Sequence, residues 1–123
     1  MLRLTTVMVV DDEPLVRSLC RRMLEDAGFK VYEAGDGVEA LALLAELGRV
    51  DAVITDLMMP HMDGLALAAH LTRQSPATPI LIVSGFDQHY HDVAALRPLL
   101  LKPFTAEQLV EGLRQVLLRT VLH

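Results

Sequence analysis

Four short stretches carry the side chains able to do chemistry: "VVDDEP" at Val9–Pro14, "TDLMMPHMDG" at Thr55–Gly64, "VSG" at Val83–Gly85 and "KPF" at Lys102–Phe104. They supply the carboxylates Asp11, Asp12 and Asp56, the Ser84 hydroxyl and the Lys102 ammonium. Carboxylates held close together repel one another and call for a cation. An all-oxygen donor set with room for water suits Mg²⁺. A hydroxyl and an ammonium facing such a site suit a transient anion such as a phosphoryl group. In that setting Asp56 reads as a nucleophile, set where a metal and a lysine both reach what it accepts.

That chemistry requires elements that bring the four stretches together. "TTVMVV", "KVYEA", "DAVITD", "PILIVSG" and "PLLLKPF" read as five strands. Amphipathic stretches alternate with them. In "PLVRSLCRRMLEDAG", Leu15, Val16, Leu19, Cys20, Met23, Leu24 and Ala27 fall on one helical face, with Pro14 suited to the first turn and Gly28 to the stop. "DGVEALALLAELG" opens with Asp36 and Glu39 at nearly capping-box spacing, and "TAEQLVEGLRQVLLRTVL" with Thr105 and Gln108 at the same spacing. "LALAAHLTRQ" is a third helix. "DQHYHDVAAL" is a weak one, one turn in a loop. Strand–helix alternation with near-continuous apolar strands predicts a parallel sheet covered on both faces, a doubly wound α/β fold. Ligands bind such sheets beyond the carboxyl ends of the strands, which is where the four stretches fall.

Composition narrows the classes further. The 123 residues fit one domain over 1–123, and 52% are apolar. A net charge of −5 argues against direct nucleic-acid binding. The single cysteine, Cys20, excludes an internal disulfide and a Cys-based zinc site, and suits a reducing cytoplasm. The apolar runs are too short for membrane insertion, and the N-terminus reads as mature structure rather than a signal peptide.

Taken in order, each at a strand end, the four stretches resemble the receiver domain of two-component response regulators over essentially the whole chain. The resemblance implies a five-stranded parallel sheet in the order 2-1-3-4-5, flavodoxin-like, here with a shortened fourth helix. It implies that Asp56 accepts phosphate from the phosphohistidine of a histidine kinase or histidine phosphotransfer protein. It further implies that Asp12, Asp56 and the Met58 backbone carbonyl hold Mg²⁺, with Asp11 acting partly through water. Ser84 and Lys102 would contact the phosphoryl oxygens, and the Lys102–Pro103 peptide would be cis. Such a domain is not an enzyme towards outside substrates; it catalyses only its own phosphorylation and dephosphorylation.

The chain departs from the family pattern in one functional place. Receivers commonly carry an aromatic residue three positions before the lysine, and here that residue is Leu99. A ring-flip readout is therefore not expected, and the signal falls to Ser84, Gly85 and the segment from Phe86 to Arg97. Structural alternatives stand beside several assignments. Asp11 and Asp12 also fit a helix cap before Pro14, Asp56 a turn, and Lys102 a surface position. Asp63 with Gly64 reads as a turn and helix cap. His61, His70, His89 and His91 read as solvated, and Met58, Met59 and Met62 as packing over the site. Two functional alternatives remain: an aspartate-nucleophile phosphatase of the haloacid-dehalogenase type, which would need a second Asp where Met58 stands, and the receiver portion of a hybrid sensor kinase.

Overall fold

A computed structural model describes residues 3–85 and 97–122. Its five strands are β1 (Thr6–Val10), β2 (Lys30–Ala34), β3 (Ala52–Asp56), β4 (Ile80–Ser84) and β5 (Leu99–Leu101). Four helices lie between and after them: α1 (Pro14–Asp26), α2 (Gly37–Leu47), α3 (Gly64–Gln74) and α4 (Ala106–Leu122). The sheet order is β2-β1-β3-β4-β5, and every pairing is parallel. This is the expected doubly wound topology. The reading of "DQHYHDVAAL" as a shortened helix, with His89, His91 and Phe86, lies outside the described residues.

Alternation along each strand divides the core into two layers. Met8, Val10, Val53, Ile80 and Ile82 pack with Ala40, Leu44, Leu67 and Leu71 of α2 and α3. Val7, Val9, Ile54, Leu81 and Val83 pack with Cys20 and Leu24 of α1 and Leu109 and Leu113 of α4. With both faces covered, β3 and β4 are buried along their whole length. That is why their sequences are apolar without alternation.

The helix starts follow local chemistry. Asp36 accepts the Glu39 backbone N–H at 2.8 Å, and Asp63 accepts that of Ala66 at 2.8 Å. Thr105 and Gln108 bond reciprocally, at 2.8 and 3.1 Å, and complete the expected capping box.

Two expectations need correction. Leu15 and Leu19 do not join the core: they are 87% and 54% exposed. The seven apolar positions read as one face spread over about half the helix circumference at roughly 100° per residue. The sheet covers only the stripe through Cys20 and Leu24. Ala27 lies beyond the end of α1 and is exposed. β5 is also shorter than "PLLLKPF" suggests. The Lys102 N–H still bonds to the Ser84 carbonyl at 2.8 Å, but Pro103 has no N–H to extend the ladder.

Candidate functional site

The carboxyl ends of β1, β3, β4 and β5 converge on one edge of the sheet. β1 ends just before Asp11, whose own N–H still reaches the Ala34 carbonyl at 3.2 Å. Asp11 is 4% exposed. Its Oδ1 accepts the Glu13 N–H at 2.9 Å, a bond that braces the turn into α1 but does not cap the helix. The formal N-cap is Glu13, which makes no side-chain cap bond. The other oxygen, Oδ2, lies 3.3 Å from Lys102 Nζ.

Asp56 is the last residue of β3 and is 8% exposed. Its Oδ1 accepts the Leu57 N–H at 3.1 Å and stands 3.4 Å from Lys102 Nζ. The loop after it folds back so tightly that a Cβ on Gly64 would collide with the Asp56 carbonyl oxygen. The Gly64 N–H closes this loop on the Leu57 carbonyl at 2.8 Å.

Asp12 is exposed, yet one carboxylate oxygen from each of Asp11, Asp12 and Asp56 lies within 4.8 Å of the others. These are hard oxygen donors close enough to share one small divalent cation, so the chemistry of the set fits Mg²⁺. The three methionines were expected to pack over the site; instead Met58 on the β3–α3 loop is 66% exposed, and Met59 and Met62 pack against the α2–α3 core layer.

Electrostatics follow from this crowding. Burial pushes the Asp56 carboxyl up to about 6; Lys102 opposes the rise, and Asp11 and Asp12 add to it. For Lys102, burial alone would lower the ammonium, but Asp56 and Asp11 outweigh it and hold the group above its ordinary value. One lysine thus serves two buried acids with a third beside them. A bound cation would favour the ionised carboxylates.

Ser84 closes β4, one residue beyond the Asp56–Val83 pairing. It is 4% exposed, and its Oγ donates to the Gly85 carbonyl at 2.9 Å. The Lys102–Pro103 peptide is cis, as the resemblance implied. The structure therefore sets carboxylate oxygens of Asp11, Asp12 and Asp56 within 4.8 Å of one another, brings Lys102 to Asp11 and Asp56, and leaves Ser84 at the same edge with its hydroxyl turned to its own loop. His61 is exposed, as expected. His70 is half-buried, and its Nδ1 lies 3.2 Å from Arg73 Nη2 on the same helix. Leu99 is half-buried and packs against the α2–α3 layer.

Sequence reasoning missed Arg17, whose Nη1 donates to the Asp11 backbone carbonyl at 2.7 Å. Nothing in its spacing marks it, because its other partner, Glu33, comes from β2.

A five-stranded parallel sheet with acids and a lysine at its carboxyl edge defines a class of phosphoacceptor domains, and the comparisons place the chain within it. The response regulator receiver domain matches residues 7–114. The chain belongs to that family and is a receiver domain of two-component signalling. It is 42% identical over 118 residues to the response regulator MprA of Mycobacterium sp. (strain KMS), covering 93% of this chain and 51% of that protein. The MprA of Mycobacterium ulcerans is 40% identical over 121 residues, with 95% and 52% covered. The chain thus spans about half the length of these relatives. Among solved structures, a response regulator receiver domain protein from Clostridium thermocellum superposes with a TM-score of 0.87 at 27% identity, covering 97% of this chain and 98% of that one. Vibrio cholerae chemotaxis protein CheY4 gives 0.83 at 33%, covering 93% and 99%. These relatives are response regulators and receivers, so neither the phosphatase nor the hybrid-kinase alternative is favoured. Among the described residues, no helix is long and apolar enough to cross a membrane.

Proposed function

We propose that residues 1–123 form one receiver domain that acts as a phosphorylation switch, with Asp56 as the phosphoacceptor. The carrying observation is that Lys102 Nζ lies 3.3 Å from Asp11 and 3.4 Å from Asp56, with Asp12 in reach of both acids. A carboxylate oxygen of Asp56 attacks the phosphorus of a phosphohistidine on a histidine kinase or histidine phosphotransfer protein. The P–N bond breaks, its electron pair stays on the imidazole nitrogen, and an acyl phosphate forms on Asp56. Asp11, Asp12, Asp56 and the Met58 carbonyl would hold Mg²⁺, which supplies positive charge where two anions must meet.

Lys102 already stands beside the carboxylate that receives the new charge, and it turns to the phosphoryl oxygens once they arrive. Ser84 rotates away from the Gly85 carbonyl to donate to the same group. The phosphoryl adds about two negative charges, and these two movements pass its arrival to the surface beyond β4 and β5. Leu99 offers no ring to flip, so the readout we assign to Gly85 and the segment that follows it. The chain turns over no outside substrate; it works in the cytoplasm, where its lone thiol suits the reducing conditions, and its acidic charge speaks against direct nucleic-acid binding.

Intact-protein mass spectrometry with acetyl phosphate tests this. Wild type gains one phosphoryl group with Mg²⁺ and none in EDTA, and Asp56→Asn gains none in either. Full Mg²⁺-dependent labelling of Asp56→Asn would remove Asp56 from the role.

A further inference from the structure

The loop that carries Asp11 and Asp12 is held from behind by one arginine. Arg17 lies in the first turns of α1, and its side chain is 21% exposed. Nη1 donates to the Asp11 carbonyl at 2.7 Å, and Nε donates to Glu33 Oε1 at 3.2 Å. Glu33, 23% exposed, is itself held by Arg21 Nη1 at 2.9 Å on its other oxygen. The guanidinium also passes close to the end of β2, where a Cβ on Gly35 would lie 3.4 Å from Nη1 and 3.0 Å from Glu39 Oε2. Arg17 therefore ties the end of β1 to the end of β2 through a planar fork whose two bonds point to different elements.

We propose that Arg17 is a positioning residue for the acidic cluster. The Asp11 carbonyl belongs to the same planar peptide as the Asp12 N–H, so fixing that oxygen fixes where the Asp12 backbone leaves the strand. Asp11 is otherwise braced by the Glu13 N–H, the Ala34 carbonyl and Lys102. Asp12 is exposed, and the hold on its peptide comes from Arg17. The fork thus sets the separation of the two carboxylates for a cation. This rests on the reading of the cluster as a Mg²⁺ and phosphoryl site.

Charge and geometry predict opposite signs here. Removing a cation near an acidic site should tighten Mg²⁺ if only charge matters. Losing a group that orients ligands weakens metal binding, by about 10-fold or more. Four proteins separate these effects: wild type, Arg17→Ala, Arg17→Lys, and Arg21→Ala, which loses a charge and a Glu33 bond but makes no bond to the Asp11 loop. Mg²⁺ affinity is read by amide NMR titration, melting temperature in EDTA by circular dichroism, and acetyl phosphate labelling across a Mg²⁺ series.

The expected result is a Mg²⁺ half-saturation about 10-fold higher in Arg17→Ala and in Arg17→Lys. Lysine keeps the charge but lacks the fork, so it does not rescue. Arg21→Ala binds Mg²⁺ no more weakly than wild type. Labelling by the Arg17 variants returns toward the wild-type rate at saturating Mg²⁺, which a general loss of folding would not allow. Should Arg17→Ala not fold, Arg17→Lys carries the test alone. Wild-type Mg²⁺ affinity in Arg17→Lys, or equal weakening in Arg21→Ala, overturns the positioning role. A wild type that binds no Mg²⁺ overturns the reading of the site itself, and this inference with it.

Discussion

At the scale of single residues, the site is built against its own stability. Asp56 is buried among like charges, and its carboxyl is pushed from 3.8 up to about 6. An acid whose folded value lies above its unfolded value binds its proton more tightly in the folded state. Stability is then fullest below pH 3.8 and declines as pH rises through about 6. Without metal, ionised Asp56 costs on the order of 2 kcal/mol at neutral pH. Asp56→Asn should therefore raise the metal-free melting temperature by several degrees at pH 7.5, and the gain should vanish near pH 4. Thermal melts in EDTA across that range check both the sign and the window. The Cys20 thiol is pushed up to about 11, by burial first and then by Asp11, so it stays protonated at neutral pH beneath the site.

At the scale of elements, the loops do the positioning. Gly64 begins α3 under the Asp56 carbonyl with no room for a Cβ. Gly64→Ala should force the β3–α3 loop outward, costing about 2–3 kcal/mol. It should also slow acetyl phosphate labelling at saturating Mg²⁺, because the strand end that carries Asp56 moves with the loop. Urea unfolding and labelling rates measure the two effects. Much at this scale was legible in the sequence. The caps at Asp36, Asp63 and Thr105 could be read because an N-cap bonds a residue three positions on, and the strands because both their faces are buried. The four chemical stretches could be placed because each terminates an apolar run. Leu15 and Leu19 could not: periodicity reveals an apolar face but not how much of it the sheet covers. Arg17 could not, because its partners meet only when β1 and β2 lie side by side. Nor could the turn of the Ser84 hydroxyl toward Gly85, which is a choice of rotamer.

At the scale of the molecule, the two edges of the sheet have separate tasks. At the edge opposite the site, Asp51 accepts the Thr6 N–H at 2.7 Å and the Thr6 hydroxyl at 3.0 Å, and pairs with Arg49 at 2.7 Å and Arg3 at 3.0 Å. Burial works to raise this carboxyl, but those four partners prevail and hold it below 3.8. The sign is opposite to that of Asp56. Its stabilisation is present above pH 3.8 and is lost as pH falls through the lower folded value. Asp51→Ala should cost about 2–3 kcal/mol at pH 7 and progressively less in acid, because it leaves the Thr6 N–H unpaired. Mg²⁺-dependent labelling should be unchanged. Chemical denaturation at pH 7 and pH 3, beside the labelling assay, tests this division.

The contact between Lys102 and Asp11 joins residues 91 positions apart in the chain. Among the described strands β5 also comes last in the chain, and it flanks the sheet beside β4. While a ribosome is still extending the polypeptide, Asp56 is already present but its lysine is not. On the proposed reading of Asp56 as the phosphoacceptor, its site is complete only once β5 has docked and brought Lys102 beside it. On that same reading, a kinase that met the chain before β5 docked would find Asp56 without the Lys102 ammonium, so completing the sheet would also decide which chains can accept phosphate.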